Sequence, residues 1–136
     1  MKKFAKILSL MLVVVIAAMF VACAPASDPD KAVSALEKNG YTAAKDANIA
    51  PAALRLIGVS GVDCVVTGAC AEEGKEGSVS IVYFSSSKDA NAAWDKIQEY
   101  AKDEKEDEGN EDSDWQIKKS GKMVYWGNSN GIKAAR

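Results

Sequence analysis

A chain of 136 residues with 17 basic side chains, 19 acidic ones and no histidine is bounded before any motif is sought. Without histidine there is no Ser-His-Asp or Cys-His machinery, and the commonest zinc ligand is missing. A carboxylate pair or a Ser-Lys pair is the chemistry left open, and neither has a recognisable motif, so the expectation is no enzyme, no cofactor and no metal.

Lys2, Lys3 and Lys6 charge the start of the chain, and residues 7–21 are apolar except for Ser9. That is the architecture of a secretory signal. Spanning a bilayer takes about 20 apolar residues, and this shorter stretch runs straight into Ala24-Pro25 without a basic flank, which disfavours a permanent transmembrane anchor. The run Phe20-Val21-Ala22-Cys23 resembles the lipobox of bacterial lipoprotein precursors, in which a small residue precedes a cysteine that receives a diacylglyceryl group. Phe20 stands where that family most often has Leu. The resemblance covers residues 1–23 and implies a lipid on Cys23, cleavage in front of it, and a place on the extracytoplasmic face of the cell membrane or envelope. Two acyl chains, at about 0.8 kcal/mol per buried methylene, hold a small protein stably on a membrane. The alternative is ordinary secretion, with Ala22-Cys23-Ala24 as the cleavage site and Cys23 lost.

The expected organisation is a signal over 1–22, a tether over 23–27 and one domain over 28–136. The mature part keeps 14 bases against 19 acids. This balance argues against nucleic acid as a partner and against electrostatic adhesion to anionic lipids.

Asp28 before Pro29 reads as an N-cap with proline at the first helical position, and Asn39-Gly40 reads as the stop, predicting a helix over 29–39. Tyr41 then falls where a Schellman motif packs a hydrophobe back against Leu36. A short strand over 41–46 and a short helix over 51–57, entered through Pro51, follow; Gly58 and Gly61 break the latter. Residues 62–71 and 78–85 are rich in β-branched or aromatic side chains and flank a polar, glycine-containing turn, which predicts a β-hairpin. Ser86 and Asp89 form an acidic capping box, followed by Ala90, Ala93, Trp94, Ile97, Tyr100 and Ala101 at helical spacing. Residues 115–119 and 122–126 flank Ser120-Gly121 as a second hairpin, and 132–136 begin a terminal helical turn. The class is α+β: an antiparallel sheet of two hairpins plus a further strand, with the helices on one face.

Three sets of side chains are candidates for chemistry. Cys64 and Cys70 are about 20 Å apart if they share one continuous strand, and a disulfide needs Cα atoms within about 7 Å. They pair only if Val66-Thr67-Gly68 turns the chain back; otherwise they are two buried thiols. The run 103–114 holds eight carboxylates and Lys105 as its only base. Aligned as an EF-hand loop on Gly109, it has Trp115 where the closing glutamate belongs, so a solvated helix end and loop is the better reading. Tyr125 and Trp126 are consecutive on a strand and point to opposite faces, leaving one exposed unless both faces are covered. With Trp115 they make the second hairpin the expected ligand-binding surface, and Asn128, Ser129 and Asn130 are either polar contacts or a turn.

The expected function is a membrane-anchored extracytoplasmic lipoprotein that binds a protein partner or a small ligand. A surface enzyme using carboxylates and a structural envelope protein are the alternatives.

Overall fold

The computed structural model describes residues 24–107 and 114–136, with backbone alone for 104–107. The signal segment, Cys23 and most of the acidic run lie outside the described residues. Helix α1, Pro29–Lys38, starts where Asp28 accepts a hydrogen bond from the Asp30 N–H at 2.9 Å. It ends as a Schellman motif: Tyr41 N–H donates to the Leu36 carbonyl at 2.9 Å, with Gly40 at φ +84°. Strand β1 is Thr42–Asp46 and helix α2 is Ile49–Leu56. Helix α2 begins two residues earlier than the proline predicts. The Asp46 carboxylate accepts from the backbone N–H groups of Asn48, Ile49 and Ala50, at 2.8, 2.9 and 3.0 Å, and so caps the helix from the preceding strand.

Strands β2, Val62–Cys70, and β3, Gly77–Phe84, form the first hairpin. Helix α3, Ser87–Asp107, follows a capping box in which Asp89 N–H donates to Ser86 Oγ at 3.1 Å. Strands β4, Gln116–Ser120, and β5, Met123–Gly127, form the second hairpin, and α4, Ser129–Ala134, closes the described chain. The five strands are antiparallel in the order β1-β2-β3-β5-β4, with Val66 opposite Ile81 and Ile81 opposite Tyr125. The α+β class and the antiparallel sheet are as expected.

The placement of the helices on one face is corrected. Helices α1 and α4 cover one face through Ala32, Leu36 and Ile132 against Cys64, Val66, Ile81, Tyr83 and Tyr125. Helices α2 and α3 cover the other through Leu54, Ala93 and Ile97 against Val65, Val82, Phe84, Val124 and Trp126. The sheet is the middle of three layers. The physical signal is in the central strands: Ile81-Val82-Tyr83-Phe84 and Met123-Val124-Tyr125-Trp126 are continuous apolar runs, as expected of strands buried on both sides, whereas a half-solvated strand alternates.

One alternative is decided and one expectation is corrected. Strand β2 runs without a turn through Val66-Thr67-Gly68, so Cys64 and Cys70 stay far apart along it and both are free thiols. The tether is part of the fold from Ala24 onward. Pro25 is buried, Ala24 and Ala26 pack against the α1/α4 core, and Ala26 N–H donates to the Ala135 carbonyl at 2.9 Å. Its carbonyl accepts the Tyr83 hydroxyl. Among the described residues no helix is long and apolar enough to cross a membrane.

Candidate functional site: an apolar groove between α2 and α3

Helix α2 carries Ile49, Ala50, Ala52, Ala53, Leu54 and Leu56 around its circumference, with Arg55 its only charged residue. One contact with a sheet cannot bury apolar side chains on every side of a helix. Pro51 and Leu54 face the sheet, and Ile49, Ala52, Ala53 and Leu56, at the i, i+3, i+4, i+7 spacing, are left exposed. Leu56 is 89% exposed and Ile49 78%, with Ile57 at 44% and Tyr100 at 46%.

Between α2 and α3, Ala53, Ile57 and Tyr100 border a groove of about 240 Å³. Its floor is Val65 and Thr67 of β2, Ser80 and Val82 of β3, and Trp126 of β5; Ala50, Ala53, Leu54 and Ile57 form one wall and Tyr100 the other. Tyr100 meets Trp126 edge to face, with ring centroids 6.0 Å apart, which sets the wall against the floor. Lys96 of α3 reaches the Gly58 carbonyl at 3.4 Å, joining the two helices at the end of α2. The groove offers apolar contact, two aromatic rings and the hydroxyl-bearing residues Thr67, Ser80 and Tyr100.

The second hairpin does not form one aromatic surface. Trp126 is buried in the floor of this groove, whereas Tyr125 is buried on the opposite face beneath α1 and α4. Trp115 packs against the core beneath α2 and α3, and its buried indole N–H finds no acceptor among the described residues. Asn128 serves as the cap of α4, accepting from Gly131 N–H at 2.9 Å. Ser129 and Asn130 are the first residues of α4, which starts three residues earlier than the expected helical turn at 132.

A second concavity, of about 280 Å³, lies on the other face between Lys38, Asn39, Tyr41, Gly74, Lys75, Asn130 and Lys133. Lys38 and Lys133 sit in the last turns of α1 and α4, where they complement the helix dipoles. Tyr41 donates its hydroxyl to the Lys75 carbonyl at 2.6 Å. These side chains already have structural tasks.

Asp28, Asp46 and Asp114 accept from backbone N–H groups, whereas Asp30 pairs with Lys45, Asp63 accepts from the Ser85 hydroxyl and Asp89 from the Ser86 hydroxyl. Bonds from the N–H groups of Asn48, Ala50 and Ile49 hold Asp46 below the usual carboxylate range. Asp114 is lowered by the Ser129 hydroxyl and N–H. Burial pushes the Cys64 thiol up, with Lys45 opposing, and burial raises the Tyr83 phenol strongly. No group of three or more cysteine, aspartate or glutamate side chains among the described residues is arranged to hold a metal ion.

The groove was not legible as a site because Ala53, Leu54 and Ile57 read as ordinary core from sequence. The available signal was the absence of a polar face on α2. No family model, curated protein or solved structure matches the chain, so the reading of the groove rests on its own residues.

Proposed function

We propose that this is a lipid-anchored extracytoplasmic binding protein, and that the α2–α3 groove receives an apolar side chain of a protein partner. The observation that carries the reading is unburied apolar surface at one place: Ile57 and Tyr100 stand exposed on the two walls of a groove whose lining is mostly apolar, and Ile49 and Leu56 are exposed on the same helix α2. Its size favours a side-chain anchor over a whole small molecule, since pockets for drug-sized ligands run from about 300 to 1,000 Å³. Glu99 and Asp103 are exposed on α3 within one turn of Tyr100, and the exposed Lys96 of the same helix is bonded to the Gly58 carbonyl, so the complementary partner carries basic residues next to its anchor.

A carboxylate enzyme is less favoured because Asp28, Asp46, Asp89 and Asp114 are engaged in capping and turn bonds. The lipid is supported by the lipobox resemblance at Cys23, and acyl mass on Cys23 with a globomycin-sensitive precursor is its test.

The groove is tested by thermal shift of the domain against short peptides with a central Trp, Phe or Leu flanked by lysines. At 100 times its dissociation constant a peptide adds about 2.7 kcal/mol, a rise of about ten degrees in a domain of this size. The expected result is a rise that Ala53→Trp abolishes by filling the groove. A flat response from the whole panel, or one unchanged in Ala53→Trp, overturns the groove as the site.

A further inference from the structure

We infer that the domain is held against the bilayer in one orientation, with the layer of α1 and α4 toward the lipid headgroups and the α2–α3 groove turned away from them. The inference rests on the lipid anchoring at Cys23 proposed above. What carries it further is the state of the residues that follow that cysteine.

Five residues of free tether would let the domain tumble, but the described part of that segment is docked. Pro25 is buried, Ala24 and Ala26 pack on the core between α1, α4 and the sheet, and Ala26 is bonded through both its N–H and its carbonyl. A chain covers at most about 3.6 Å per residue, so the Cα of Cys23 lies no more than about 11 Å from that of docked Ala26. The strap belongs wholly to the α1/α4 layer. The α2/α3 layer is on the other face of the sheet, about 20 Å away, roughly two helix diameters.

The test uses the full exported, acylated chain in phosphatidylcholine vesicles containing a lipid with a nitroxide on its headgroup. In a Cys70→Ser background, a single bimane label is placed beside the strap at Lys31→Cys or Arg136→Cys, and on the outer side of α3 at Asp95→Cys or Glu99→Cys. All four positions are exposed. Quenching several-fold stronger at 31 and 136 than at 95 and 99 is expected. A flexible Gly-Ser insertion between Cys23 and Ala24 is expected to erase the difference. Equal or reversed quenching in protein that floats with the vesicles overturns the orientation while leaving the anchor in place, and so does a difference that survives the insertion. Protein that does not float and carries no acyl mass overturns the anchoring and the orientation together.

Discussion

Tyr83, in the central strand, donates its phenolic hydroxyl to the backbone carbonyl of Ala26 at 2.7 Å, a bond between residues 57 apart in the chain. It ties the first described residues to the middle of the sheet. A typical internal hydrogen bond is worth about 1 kcal/mol net. Tyr83→Phe is therefore expected to lower the unfolding free energy measured in urea by that amount in a chain containing residues 24–26, and to change almost nothing in a chain beginning at Ser27. Additive losses in this double-mutant cycle would show that the hydroxyl does not act through Ala26.

Acid should loosen α2 before it unfolds the domain. The Asp46 carboxylate is held below its ordinary value of about 3.9 by the N–H groups it caps. A depressed folded pKa contributes stability that is present above the ordinary value and is lost as pH falls through the folded one. The protection of α2 amides, their exchange rate relative to the intrinsic rate at the same pH, is expected to fall below about pH 4 in the native protein. In Asp46→Ala that protection should already be low at pH 7 and change little with acid. An acid response of native size in Asp46→Ala would remove this carboxylate as its source.

At Gly127 the chain of β5 passes so close to β3 that an added β-carbon would meet the Ser78 carbonyl oxygen and lie 2.9 Å from Val79 Cα. Both neighbours are backbone of a paired strand and cannot swing aside. Gly127→Ala is expected to cost about 2 kcal/mol or more by chemical denaturation, in the range of overpacked sites. A cost below about 0.5 kcal/mol would contradict the β3–β5 register.

The two thiols of the domain should behave differently. Cys64 is buried with its thiol pushed up by burial, whereas Cys70 is partly exposed near the end of β2. Mass spectrometry after native alkylation of a chain starting at Ala24 is expected to find one adduct, on Cys70, and two after denaturation. A mass two hydrogens lighter without reductant would mean a disulfide and a broken β2.

Leu56 separates binding from folding. Because it is 89% exposed, Leu56→Ser should leave stability within about 0.5 kcal/mol of native. Its buried neighbour Leu54→Ala should cost about 2–4 kcal/mol. In the peptide panel Leu56→Ser is expected to weaken binding several-fold, measured by titration. Native affinity in this variant would exclude the outer face of α2 from the interface.

Much of the fold was legible because its signals are local. Asp28, Asn39-Gly40 and Ser86 with Asp89 mark helix ends through bonds spanning two to five residues, and each forms as expected. The early start of α2 was missed because its cap, Asp46, is contributed by the preceding strand. For Tyr125 and Trp126, alternation correctly puts them on opposite faces. Whether either face was open depended on helices far away in sequence.

Residue order alone therefore determined the helix caps, the two hairpins, the lack of histidine chemistry and the resemblance at Cys23, all carried by neighbouring residues. Only the tertiary structure decided that both faces of the sheet are covered, that residues 24–26 are strapped to it, and that α2 and α3 leave a groove between them. Those outcomes depend on pairs such as Tyr83 with Ala26 and Asn39 with Ala134. Their meeting is set by the packing of whole layers, where burying the two apolar faces of β3 and β5 outweighs any preference visible in a short window.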